Sequence, residues 1–103
     1  MITRIVKMTF KHGEIDGFLE LFEEVKLQIR NSEGCLGLAL WRDIFHSNIL
    51  FTYSLWESEA HLNKYRDSEL FRDTWAKTRI RFADKPEAWS VEQLVGIFNN
   101  KTE

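Results

Sequence analysis

Two side chains four positions apart, His61 and Tyr65, are the residues of this chain best suited to hold or move a proton. A tyrosine hydroxyl can donate or accept a hydrogen bond. A histidine one helical turn earlier is close enough to orient or deprotonate something on the same face. Each has a plainer reading. A tyrosine on a short helix also fits a core edge with its hydroxyl satisfied, and a histidine marked by nothing else also fits a solvated surface. Other chemistries find less to work with. His12, His46 and His61 are widely spaced, with no Cys/His cluster at zinc-like spacing, so no metal site is expected. The run Gly34-Cys35-Leu36-Gly37 is not a phosphate loop, because the Gly-Lys-Ser/Thr ending of that motif is missing. Cys35, the sole cysteine, reads as a small buried apolar group and not as a nucleophile.

The elements that would position these residues follow from periodicity. Residues 2–10 mix Ile, Val, Thr, Met and Phe with Arg4 and Lys7, a strand composition broken by His12-Gly13. A helix is predicted from Glu14, since Ile15, Phe18, Leu19, Phe22, Val25 and Ile29 recur at three- and four-residue steps. Asn31 to Gly34 stops it, with Gly34 available for a left-handed cap. Residues 35–43 form a strand with Leu36, Leu38 and Leu40 on one face and Gly37, Ala39 and Trp41 on the other. A turn at Phe45-His46-Ser47-Asn48 joins it to a strand over 49–56, an antiparallel hairpin. Ser58 caps a short helix through about Tyr65; Asp67 or Ser68 caps a longer one carrying Phe71, Trp75, Thr78 and Phe82 on one face. Pro86 ends that region, and 89–98 supply a last strand. The order is α+β: strand, helix, strand, strand, helix, strand, the ferredoxin-like βαββαβ arrangement with a four-stranded antiparallel sheet.

Composition narrows the class. At 103 residues, 44% hydrophobic and 29% charged, the chain is expected to form one domain over 1–98 with a polar tail at 99–103. No apolar run approaches the roughly 18 residues that span a bilayer. Met1-Ile2-Thr3-Arg4 lacks the features of a signal peptide, and a single cysteine suits a reducing compartment, so a cytoplasmic location is expected. The Asn100-Lys101-Thr102 sequon would then go unused. A net charge of −2 argues against nucleic-acid binding by bulk charge.

Both helices of this arrangement cover the same face of the sheet, yet the middle strands are apolar on both sides: Leu38 and Trp41, Leu50 and Phe51. Such a bare face exceeds what a monomer usually exposes. Two copies are therefore expected to pack sheet to sheet as a homodimer, with Trp41 and Trp89 at the seam. The alternative is that the C-terminal segment folds over its own sheet. Charge also divides: residues 14–33 hold six acids and two bases, residues 64–85 seven bases and four acids. Mutual attraction of the two helical regions is the simplest account. Recruitment of an anionic substrate by Arg72, Lys77, Arg79 and Arg81 is the weaker one.

At Gly34-Cys35-Leu36-Gly37, Trp56-Glu57-Ser58-Glu59-Ala60 and Ser68-Glu69-Leu70-Phe71 the sequence resembles the antibiotic biosynthesis monooxygenase family of dimeric α+β barrels. The resemblance covers nearly the whole chain. Members include cofactor-independent oxygenases of phenols and quinols, haem-degrading enzymes, and proteins with no assigned activity. Many place a histidine nine residues after the junction tryptophan, a slot held here by Tyr65. The asparagine and iron-ligating histidine of haem-degrading members fall at Val6 and Trp75, which can neither offer an amide nor bind iron. The resemblance thus implies an oxygenase without cofactor, acting on a small phenolic or quinol-like aromatic molecule. Its pocket would lie between sheet and helices, walled by Val6, Trp56, Phe71 and Trp75, with Tyr65 as the polar contact and His61 assisting. Two structural readings stand beside this one: Trp56 as a staple under the helix start, and Phe71 with Trp75 as a core stripe. The competing functional class is a dimeric protein that binds a small molecule without turnover.

Overall fold

Side chains alternating between two faces along the strands, and apolar residues at three- and four-residue steps on the helices, decide the architecture. The computed structural model describes residues 1–99. It runs β1 (Ile2–Thr9), α1 (Ile15–Arg30), β2 (Cys35–Arg42), β3 (Ile49–Trp56), α2 (Glu59–Arg66), α3 (Glu69–Arg79) and β4 (Glu87–Val91). The strands form one antiparallel sheet in the order β2-β3-β1-β4. This is the ferredoxin-like α+β order expected, with three helices. No helix among the described residues is long and apolar enough to cross a membrane.

Register assigns the two faces. The pairs Arg4–Ser54, Val6–Thr52 and Met8–Leu50 point toward the helices, where Met8, Leu50 and Trp56 are buried. Ile5–Tyr53 and Lys7–Phe51 point away. One buried cluster joins Met8, Phe10 and Leu50 to Phe18 of α1; a second joins Cys35, Trp56 and Leu62 of α2. Truncating Phe10, which is wholly buried, to alanine would cost about 3–5 kcal/mol.

Charge ties the helices together as their composition suggests. Lys64 reaches Glu33 at 2.6 Å, and Arg81 reaches Glu14 at 2.7 Å. Glu14 therefore spends its carboxylate on Arg81 and gives α1 no side-chain cap. Ser58 and Ser68 do cap α2 and α3, accepting from the backbone N–H of His61 and Phe71.

Five details depart from the sequence reading. Helix α3 ends at Arg79, so Phe82 lies past it and bridges to Phe10 instead. Gly34, at φ +80°, does not close α1, which ends when Asn31 and Ser32 donate back to Leu27 and Ile29; it makes the turn into β2 instead. A bulge between Cys35 and Gly37 leaves Leu36 unpaired and exposed, so Leu36 does not share a face with Leu38 and Leu40. Asp43 belongs to the hairpin loop and not to the strand, since its carboxylate accepts from the N–H groups of Phe45 and His46. The last strand is shorter and earlier than 89–98. Val91 pairs with Thr3, so β1 has almost no residues left to partner a longer β4. Residues 92–98 leave the sheet with Leu94, Val95, Ile97 and Phe98 exposed. They do not fold back over the outer face. Residues 100–103 of the tail, with the sequon, lie outside the described residues.

The Gly34 turn is sterically closed. A Cβ there would fall 2.2 Å from Cγ of His61, besides requiring a positive φ. Gly34→Ala should lower stability in urea denaturation by about 2 kcal/mol or more. Adding His61→Ala removes the ring but keeps its Cβ, 2.5 Å from the new methyl, so only part of the loss should return; an unchanged midpoint for Gly34→Ala would contradict this turn.

Candidate functional site

The helices do not lie flat on the sheet. Between them and β1 and β3 is a cavity of about 270 Å³, at the small end for a site that takes a small molecule. Its floor is the inward register of the strands: Arg4, Val6 and Met8 of β1, Leu38 of β2, Thr52 and Ser54 of β3, and Ala88 of β4. Its roof is Phe18, Phe22 and Ile29 of α1 with Tyr65, Phe71, Thr74 and Trp75 of α2 and α3.

Rings brace that roof. Tyr65 stacks on Trp56 at 5.0 Å and meets the edge of Phe71 at 5.3 Å. Phe71 stacks on Trp75 at 6.0 Å, one turn along α3. Contacts of this kind contribute about 0.5–1.5 kcal/mol each beyond the area they bury. They fix where each ring stands.

Polar groups in the cavity are few. Burial and, to a smaller degree, the nearby Cys35 push the Tyr65 phenol up to about 12. At neutral pH it is a hydrogen-bond donor and not a base. Thr74 Oγ1 is buried without a hydrogen-bond partner, the only hydroxyl so placed among the described residues. Thr78 turns its hydroxyl to the carbonyl of Thr74 at 2.8 Å. Ser54 accepts from the Trp56 indole at 2.9 Å. Arg4 and Arg66 supply positive charge.

The family model for antibiotic biosynthesis monooxygenases matches residues 1–77. The chain belongs to that family. No functionally curated protein matches it. Among solved structures, an antibiotic biosynthesis monooxygenase superposes with a TM-score of 0.86 at 19% identity, covering 92% of this chain and 100% of that one. A conserved protein from Methanosarcina mazei Go1 gives 0.84 at 18% identity, covering 90% and 93%. SnoaB, a cofactor-independent oxygenase from Streptomyces nogalater, gives 0.83 at 14% identity, covering 93% and 95%. At these identities the likeness establishes the fold alone.

Within this antibiotic biosynthesis monooxygenase fold the anticipated residues divide. Val6, Tyr65, Phe71 and Trp75 come together on the cavity wall. Trp56 does not line it; wholly buried, it backs Tyr65 from behind. His61 is turned away. Its Nδ1 lies 2.8 Å from the capping Ser58 hydroxyl, and its Nε2 lies 3.7 Å from Glu33. Being on the same helix as Tyr65 does not give it the same outlook, since the cap and the Gly34 turn hold the ring. The basic residues Arg72, Lys77 and Arg81 are also spent elsewhere, on the Asp67 carbonyl, Asp73 and Glu14.

Residues missed from sequence are Arg4, Thr52, Ser54, Arg66 and Thr74. One was readable. Arg4 sits between Ile2 and Val6 in the inward register of β1, a charge where the alternation calls for an apolar group.

The raised Tyr65 phenol fixes a sign. Its neutral form is favoured by folding, so its contribution to stability is complete below the ordinary tyrosine value of 10.0 and is lost as pH rises toward about 12. The natural protein should therefore lose stability more steeply than Tyr65→Phe between those limits, read by denaturation at a series of pH values. Parallel curves would show that the phenol is not desolvated.

Proposed function

We propose that this family member oxygenates a small phenolic or quinol-like aromatic without metal or flavin. The supporting observation is the cavity itself: aromatic walls, with Tyr65 and Thr74 set among them, line one ring-sized space. The substrate supplies the electrons. A phenol that loses its proton passes an electron to O2; superoxide and the phenoxyl radical then join through a carbon–oxygen bond. The peroxide O–O bond breaks, a ring hydrogen is lost, and one phenol with one O2 gives one quinone and one water. All the electrons that reduce O2 come from the ring. Phe71 and Trp75 would hold the ring and exclude water, while Tyr65 donates to the phenolate oxygen as charge moves. No carboxylate or imidazole lines the cavity among the described residues, so the phenol proton leaves to water at the opening. His61 has no part in this reading.

Oxygen uptake with a panel of hydroquinones tests it. Consumption should exceed the uncatalysed rate and fall by about tenfold or more in Tyr65→Phe, the cost of losing one donor to a developing oxyanion. Uptake no faster than without protein would favour binding without turnover.

Two copies, in this reading, close a barrel by packing their outer sheet faces. Ile5, Phe51 and Tyr53 lie on that face, with Trp41 at 48% exposure and Trp89 at 44%. Trp41 stacks on Tyr53 at 5.2 Å, making a flat aromatic patch. Sedimentation should give twice 12.3 kDa, and Phe51→Lys should give the single-chain mass. A natural protein that sediments as one chain at micromolar concentration would rule the barrel out.

A further inference from the structure

Arg4 and Arg66 line the same cavity from opposite layers, one on the floor strand and one at the end of α2. Among the described residues neither has a carboxylate within 4.0 Å, whereas Lys64 and Arg81, which reach across from their helical regions, are paired with Glu33 and Glu14. Arg4 is held in place: its Nη1 donates to Ser90 Oγ of β4 at 2.9 Å, which leaves the rest of its fork free to bind. Arg66 is exposed and so stands at the rim of the opening. The C-terminal end of α2, where the helix dipole favours positive charge, accounts for a cation at position 66. It does not account for Arg4.

Two guanidiniums facing one apolar space repel each other, and burial adds to the cost. Both effects are visible on Arg4, whose guanidinium is pushed below its ordinary value first by burial and then by the charge of Arg66. A pair kept in this state is balanced when an anion arrives, since guanidinium–oxyanion hydrogen bonds are short, charge-assisted and often bidentate.

We infer that the cavity takes an aromatic anion, a ring bearing a carboxylate or phosphate group that Arg4 and Arg66 grip while Phe71 and Trp75 hold the ring. This inference builds on the oxygenase reading of the same cavity but is a statement about binding. The positive pair would also favour the phenolate of a substrate placed there, by lowering the energy of its charged form.

Quenching of tryptophan fluorescence under nitrogen, where no turnover occurs, tests it with three probes: 2,5-dihydroxybenzoate, its methyl ester, and 4-hydroxyphenyl phosphate. At least one of the two anions should bind about tenfold or more tightly than the neutral ester, the worth of one charge-assisted contact. Which anion does so distinguishes carboxylate from phosphate. Arg66→Gln, an exposed change that leaves the core intact, should cut that advantage several-fold while leaving the ester's affinity unchanged. The double variant Arg4→Gln with Arg66→Gln should abolish it. An ester that binds as tightly as both anions, no binding by any probe at millimolar concentration, or a preference that survives both substitutions would each overturn the inference. Anion selectivity without oxygen uptake would sink the oxygenase reading and leave this one standing.

Discussion

An unbroken run of aromatic contacts holds the helices off the sheet, and the cavity exists because of it. It passes from Trp56 through Tyr65, Phe71 and Trp75 to Phe82, then through Phe10 and Phe18 to Phe22. Neighbouring ring centres lie 4.8–6.0 Å apart along the whole run. Rings keep their shape, so a chain of them spans a gap that aliphatic side chains would collapse into. It is anchored in two wholly buried residues, Trp56 at one end and Phe10 toward the other. Tyr65, Phe71 and Trp75, with Phe18 and Phe22 further along, are the members that face the cavity.

That construction explains why the element order was legible while the site was only half legible. Strand alternation and helical periodicity are local, and they placed β1, α1, β3 and both Ser caps to within a residue or two. The polar content of the cavity depends on which residues meet across layers. Thr74 follows no pattern of its own; only its position between Phe71 and Thr78 on a roofed helix turns it inward. His61 shows the reverse case. Spacing put it beside Tyr65, but a hydrogen-bonded cap and a glycine turn that admits no Cβ decided which way the ring faces. The overlong last strand failed for a similar reason. Apolar composition over residues 92–98 satisfied a strand pattern, and the absence of a β1 partner past Thr3 overruled it.

The two faces of the sheet pose one problem with two answers. On the inner face the helices supply cover, yet the rings leave a void, and a void lined by apolar atoms forfeits dispersion contacts. On the outer face Trp41 stands exposed, and Phe51 and Tyr53 are only partly covered by their own chain. A fold that leaves both an inner cavity and a bare outer face unfilled gives up stability at two places where natural cores rarely do. Such departures from consistent packing concentrate at functional surfaces.

Electrostatics points the same way on the inner face. The chain carries 16 acids and 14 bases. Lys26, Lys64, Lys77 and Arg81 each meet a carboxylate, and Arg30 and Arg72 turn to backbone carbonyls. Arg4 could have been satisfied by an acid at position 54 or 90, the two residues its register sets beside it, and both are serine. A serine hydroxyl orients a guanidinium without neutralising it. Orientation with the charge left standing is what a binding site needs of an arginine, and what a structural ion pair does not provide.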